Sequence, residues 1–239
     1  HFKTFENLQK SFQDFALKVP FYGAGIVCGD DPEVKKLFQG FSKKIIFYGF
    51  ENHNDWIVNG SNGVYQLKGD GQTFNFHLSV SGRHNALNAS AAFIAALESG
   101  ISGQNCIEGL QSFHGVDRRF HFKGEAGGVK VYDDYGHHPT EVKAVLQAFR
   151  EKFPSSKHSL SPHLGANSKE GLYKNLDQQP QLVVAFQPHR YSRTQHCWHE
   201  FTTCFADADK VILLDIYPAG ESPIAGITSA ALLLDMKHP

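Results

Sequence analysis

Three short apolar runs constrain the fold of this chain more than any other feature. Val129–Asp133, Leu182–Phe186 and Val211–Ile216 are strand-length, and each stops abruptly at a polar cluster. The first ends in Asp133-Asp134-Tyr135-Gly136-His137-His138, the second in Gln187-Pro188-His189-Arg190-Tyr191-Ser192-Arg193, and the third in Tyr217-Pro218-Ala219-Gly220-Glu221. Helical patterns lie between them, at Glu141–Phe153 and from about Thr194 to Phe205. Pro139 suits a first helical position and Glu141 a first turn. Strands that alternate with helices predict crossover units and a parallel sheet. Such a sheet would bring the three polar ends to one edge, where open α/β sheets bind ligands.

The first half reads differently. Phe5, Leu8, Phe12, Phe15 and Val19 are at helical spacing, so Phe5–Val19 is predicted as an amphipathic helix. Ala24–Cys28 and Lys44–Tyr48 are strand-like, and Asp30-Asp31-Pro32-Glu33 between them opens a helix. From Asp55 to Val80, short alternating segments broken by Asn-Gly and Gly-Asp-Gly predict an antiparallel meander. His84–Leu97 is apolar nearly all round, as a buried helix would be. Its exceptions, Asn85 and Asn88, share one face of the first turn. Two readings stay open for these amides: capping the helix, or reading the edge of a base such as adenine. A further helix, Asn105–Phe113, leads to a change of composition, and the domain boundary is placed near Val116. Beyond it, Arg118-Arg119-Phe120-His121-Phe122 reads as an alternating strand. Its arginines suit either phosphate and carboxylate recognition or a solvated strand edge. Residues 154–181 form a polar stretch predicted as a surface insertion, with a short turn near Leu172.

Bulk properties narrow the function classes. The chain has 239 residues with 23 basic and 24 acidic side chains, a balance unlike the basic footprint of a general nucleic-acid or membrane-surface binder. No apolar run is long enough to span a membrane, and no secretory signal pattern is present. Cys28, Cys106, Cys197 and Cys204 have no zinc spacing and read as reduced thiols, which predicts a cytoplasmic location.

Five motifs in order resemble the Mur ligase family: GRHNALNA at Gly82–Ala89, RRF at Arg118–Phe120, DDYGHHPTE at Asp133–Glu141, FQPHRYSRT at Phe186–Thr194 and YPAGE at Tyr217–Glu221. The resemblance implies an α/β chain in two parts. Residues 1–115 would be the back half of a central ATP-binding domain, and residues 116–239 an incomplete Rossmann-like C-terminal domain with a mostly parallel sheet. The motif variants are most similar to those of the family members that join L-alanine to UDP-N-acetylmuramate. ATP would phosphorylate the lactyl carboxylate, and the amine of L-alanine would displace phosphate from the acyl phosphate. Carried over by motif, Asn85 and Asn88 would hold adenine, Asp134 the ribose and Arg119 the nucleotide phosphates. Tyr135, His137, His189, Arg190 and Arg193 would bind the substrates, with His137 and Arg193 closest to the chemistry. No GxxxxGK[ST] phosphate loop occurs in the chain. That loop and most ligands for Mg2+ are expected upstream of His1, which is read as lying just after a metal ligand, and a last strand and helix are expected after Pro239. No metal ligand is assigned within the chain, which the resemblance casts as a fragment.

Two rival classes stand beside this reading. One is a metallohydrolase built on Asp133, Asp134, His137 and His138, although adjacent histidines on an extended strand point to opposite faces. The other is a non-catalytic nucleotide-binding module using the Arg and His clusters.

Overall fold

The computed structural model describes residues 2–80, 82–153 and 180–236. The expectations for His1, for residues 154–179 of the insertion called at 154–181 and for the chain after Met236 lie outside the described residues. The chain divides into two compact units, His1–Gly115 and Val116–Pro239.

In the first unit, α1 (Phe5–Ala16) starts at Thr4, whose side chain accepts from the Asn7 amide. It stops three residues short of Val19, where Pro20 enforces a boundary. β1 (Gly25–Cys28) leads to α2 (Pro32–Phe38), capped by Asp31, which takes the Glu33 and Val34 amides, with Pro at the first position. β2 (Ile45–Gly49), β3 (Trp56–Ser61), β4 (Val64–Gly69) and β5 (Gln72–His77) complete one sheet in the order β1-β2-β3-β4-β5. β1, β2 and β3 pair in parallel, whereas β3, β4 and β5 form the expected antiparallel meander. Its turns carry Asn62-Gly63 and Asp70-Gly71 with all four φ positive, the conformation that tight hairpins demand.

Alternation along the meander points Trp56, Val58, Tyr65, Leu67 and Phe76 inward. They pack on α3 (Arg83–Glu98) through Phe93, 4.9 Å from the Phe74 ring and 6.0 Å from Phe76. α3 is buried on one face only, at Ala86, Ala89, Ser90, Phe93 and Ile94, while Ala92 and Ala95 do not join the core. The expectation of a helix buried all round is therefore corrected: small alanines line the outward face as well, and apolar composition alone does not tell the two faces apart. α4 (Gly103–Ser112) is capped by Ser102 and packs on β5.

At the end of β1, Gly29 is a packing requirement. The buried Asn54 Oδ1 occupies the space that a Gly29 Cβ would take, while Asn54 Nδ2 donates to Asp30 Oδ1 and to Glu51 O, both at 2.9 Å. Gly29→Ala is expected to lower the stability of this unit by about 1–3 kcal/mol through overpacking. Thermal unfolding of the variant checks it; an unchanged midpoint would mean that the Asn54 loop moves aside freely.

In the second unit, β6 (His121–Ala126) and β7 (Val129–Asp133) form an antiparallel hairpin turned by Gly127 and Gly128. α5 (Pro139–Lys152) packs Phe149 against the hairpin's Tyr132, 5.1 Å between rings. β8 (Val183–Phe186) and β9 (Lys210–Leu213) pair in parallel. Between them lie α6 (Tyr191–His196) and α7 (Trp198–Phe201), and α8 (Ser229–Asp235) follows β9. The core gathers Val142 and Leu146 of α5 with Phe186, Phe201, Phe205 and Leu232.

Three expectations are corrected in this unit. β7 finds its strand partner in β6 and pairs antiparallel, so hydrogen bonding does not join all three polar-ended strands in one parallel sheet. Arg118 and Arg119 precede the strand in a turn, with Arg118 at φ 60° and Phe120 at φ 49°. The helix expected from Thr194 starts at Tyr191 and breaks at Cys197, whose φ of −100° and ψ of 23° leave the helical region.

Candidate active site

The polar ends of β7, β8 and β9 converge even though the strands do not form one ladder. The rings of His137 and His189 lie 6.2 Å apart. His189 is stacked on Tyr217 at 5.3 Å, and Tyr135 meets His137 edge-on at 5.3 Å. One imidazole-rich locus thus collects residues from three separate stretches of sequence.

The turn after β7 is built by backbone amides. Asp134 Oδ2 accepts from the Phe120 amide at 2.8 Å and Oδ1 from the Gly136 amide at 2.6 Å. The Tyr135 amide donates to Arg118 O at 2.7 Å. These bonds hold Arg118 and Phe120 in left-handed backbone that side-chain-bearing residues rarely adopt, with Arg119 between them. Arg118 lies 3.6 Å from Asp133 Oδ2, and Arg119 3.7 Å from Glu141 Oε1. Both guanidiniums approach the Tyr135 ring, at 4.8 and 5.9 Å.

Glu141 organises the start of α5. Its Oε2 accepts from the amides of His137 at 3.0 Å and His138 at 3.1 Å, closing a capping box with the His138 side chain. Burial alone would raise the Glu141 carboxyl. The two amide bonds, the His137 ring and Arg119 outweigh it and hold the carboxyl below its ordinary value. His137 Nδ1 is 3.0 Å from Tyr135 O, so the ring donates there and presents Nε2 as an acceptor. His138 Nδ1 accepts from the Thr140 amide, which places the remaining ring proton on Nε2, 3.7 Å from Cys197 Sγ. His138 is thereby a cap that ties α5 to the break between α6 and α7.

The loop after β8 carries the cations. Arg193 Nη1 reaches His189 O at 3.3 Å and His189 Nδ1 at 3.4 Å. Burial, then the guanidiniums of Arg193 and Arg190, then His137 push the His189 pKa down; Glu221 opposes them. Arg190 sits at φ 73°, its amide donating to Tyr217 O at 2.8 Å.

In the first unit, Asn85 and Asn88 lie near the start of α3, outside its set of buried residues, and Asn85 has an interaction partner. The N-cap is Gly82, at φ 103°, which makes no side-chain cap bond. Neither carboxamide therefore serves as its N-cap.

Among the described residues, no group of three or more His, Cys, Asp or Glu is placed to hold a metal ion. The four residues of the metallohydrolase reading are engaged separately: Asp133 with Arg118, Asp134 with two amides, His137 with a carbonyl and His138 as a cap. Sequence reasoning marked the Tyr217–Glu221 cluster without giving Tyr217 or Glu221 a role, and it did not pair His138 with Cys197. Only the recurrence of a polar cluster at a strand end signalled the former.

Comparison with known proteins agrees with both units. The Mur ligase middle domain matches residues 1–96, and the Mur ligase, glutamate ligase domain matches residues 118–238. The chain is 57% identical over its whole length to a UDP-N-acetylmuramate--L-alanine ligase of Bdellovibrio bacteriovorus, and covers 49% of that protein. It is 42% identical over 97% of its length to the enzyme of the same name from Lawsonia intracellularis, covering 47% of it. The chain thus spans about half the length of these curated relatives. Among solved structures, a UDP-N-acetylmuramate-alanine ligase from Thermotoga maritima aligns over 90% of this chain and 42% of its own, with TM-score 0.61 and 20% identity. MurF from Acinetobacter baumannii aligns over 98% of this chain and 46% of its own, with TM-score 0.68 and 18% identity. These two share the α/β fold with parallel pairing. On its two matched domains, the chain belongs to the Mur ligase family.

Proposed function

We propose that the full-length protein is an ATP-dependent acid–amino-acid ligase that joins L-alanine to UDP-N-acetylmuramate in peptidoglycan synthesis, in the cytoplasm. The observation that carries this reading is the convergence of His137, His189, Arg190 and Arg193 at one locus of the second unit, in a chain 57% identical to a protein of that name. Two guanidiniums beside two imidazoles suit carboxylate substrates and the negative charge that builds up during acyl transfer.

ATP supplies the phosphoryl group that converts the lactyl carboxylate into an acyl phosphate. The residues of this chain fit parts of the nucleotide. Each oxygen of Asp134 accepts one amide bond and retains a lone pair, so the carboxylate is pre-aimed for two ribose hydroxyls. Arg119 is half exposed, with donors to spare for phosphate oxygens. Asn85 and Asn88 are assigned to adenine, whose edge matches a carboxamide's donor and acceptor. Magnesium does not fit in the same way, because among the described residues no three His, Cys, Asp or Glu gather to hold a metal ion, so no step is assigned to the metal through these residues.

In the amide-forming half, Arg190 and Arg193 hold carboxylates, and His189 supports Arg193. Tyr135 lines the same locus. The incoming ammonium must lose protons to become nucleophilic. His137 is the group proposed to take one: with its Nδ1–H donating to Tyr135 O, Nε2 is the ring atom left to accept it.

In the full-length protein, phosphate release should require ATP, UDP-N-acetylmuramate and L-alanine together. Release from ATP alone, at an undiminished rate, would overturn the reading. The 239-residue chain by itself lacks a GxxxxGK[ST] loop and is expected to show no ligation. Full turnover by this chain alone would mean that its own residues cradle the phosphates without such a loop.

A further inference from the structure

The YPAGE cluster is the one polar strand end to which the proposed chemistry gives no role, and its geometry supplies one. We propose that Glu221 is a positioning residue that holds the His189–Arg193 loop in its carboxylate-binding shape; this rests on the amino-acid ligase reading above.

α6 begins under difficulty. Its N-cap, Arg190, has φ 73° and ψ 133° and offers no side-chain cap. A helix start without a cap leaves amides unsatisfied, and a non-glycine residue in this backbone region relaxes unless its surroundings hold it. Glu221, 29 residues beyond Ser192, makes up both deficits. Its Oε2 accepts from the Ser192 amide at 2.9 Å, its Oε1 accepts from Ser192 Oγ at 2.6 Å, and Oε1 lies 3.8 Å from Arg190 Nη1.

Glu221 is itself fixed. The Pro218–Gly220 turn carries Ala219 at φ 49° and Gly220 at φ 86°, and closes with the Glu221 amide on Pro218 O at 3.0 Å. The backbones of the two loops are zipped by the Arg190 amide on Tyr217 O and the Tyr217 amide on Pro188 O, each at 2.8 Å. Tyr217 also stacks on His189. One turn further along, the buried Thr194 closes on Arg190 O through both its amide and its hydroxyl. The phase of that turn decides whether Arg193 reaches back to His189 O. Glu221 touches neither substrate in this scheme; it acts through Arg190 and Ser192.

The test uses the full-length protein and compares Glu221→Ala with Glu221→Gln. For Glu221→Ala, the KM for L-alanine should rise about tenfold or more, as expected for a misaimed binding group. The KM for ATP and the melting temperature should stay close to the parent values. Glu221→Gln keeps an acceptor for Ser192 and should recover part of the loss. An unchanged KM for L-alanine, or equal losses for both substrates with a lowered melting temperature, overturns the proposal. Hydrogen exchange at the Ser192 and Thr194 amides provides a readout that needs no activity. Faster exchange in Glu221→Ala supports the hold on the loop, and unchanged exchange overturns it. If the parent protein exchanges as expected but does not use L-alanine, the ligase reading fails while the hold itself stands.

Discussion

Arg150→Ala is expected to destabilise the second unit by about 1–3 kcal/mol, the cost of taking one partner from a largely buried hydrogen-bonded pair. Arg150 lies on the last turn of α5, with Nη2 2.7 Å from Asp209 Oδ2 and Nε 2.8 Å from Asp207 O. Their side chains are only 10% and 13% exposed. Asp209 Oδ2 also accepts from the Leu182 amide at 2.7 Å, just before β8. The network therefore fastens α5 to both strands of the parallel pair, and truncation takes the guanidinium away from a largely buried carboxylate. Denaturant unfolding measures the loss. A destabilisation below about 1 kcal/mol would mean that the pair behaves like an exposed one. Replacing Arg150 and Asp209 together by apolar residues should cost much less than Arg150→Ala, because no uncompensated charge remains.

Arg193→Lys in the full-length protein should weaken use of L-alanine by about 2 kcal/mol or more, roughly 30-fold, while ATP binding stays nearly intact. One nitrogen of the Arg193 fork is occupied by His189 O and Nδ1, which fixes the plane of the guanidinium. The other donors can then meet a carboxylate side by side, whereas the lysine ammonium is a single point charge without a plane. The nucleotide roles proposed for Asp134, Asn85 and Asn88 do not use this fork. Steady-state kinetics with each substrate varied in turn decides the matter. A higher KM for ATP with an unchanged KM for L-alanine would assign the loop to the other ligand.

Much of this protein was legible along the chain because its signals are local. The Asp31-Pro32 and Pro139-Glu141 helix starts, the turns at Asn62-Gly63 and Asp70-Gly71, and the apolar alternation of the meander depend on neighbours within a few residues. Such signals survive without knowledge of the fold. The five ordered motifs likewise marked the family and the polar strand ends from sequence alone. What the sequence could not decide was partnership. Whether β7 pairs with β6 or with β8 depends on which edge is already covered, and no residue of Val129–Asp133 encodes that. Nor could it tell the two faces of α3 apart, since alanine lines both. The start of α6 at Tyr191 depends on a carboxylate at Glu221 that arrives only when β8 and β9 pair. His138 shows both kinds of signal: named in the sequence only as a ligand of the metallohydrolase reading, it caps α5 through its near neighbours Thr140 and Glu141, while its contact with Cys197, 59 residues away, came from the tertiary structure. Helix starts and turns are settled by short-range sterics and hydrogen bonds, whereas strand partners, remote caps and ring contacts are settled by which surfaces the folded core leaves adjacent.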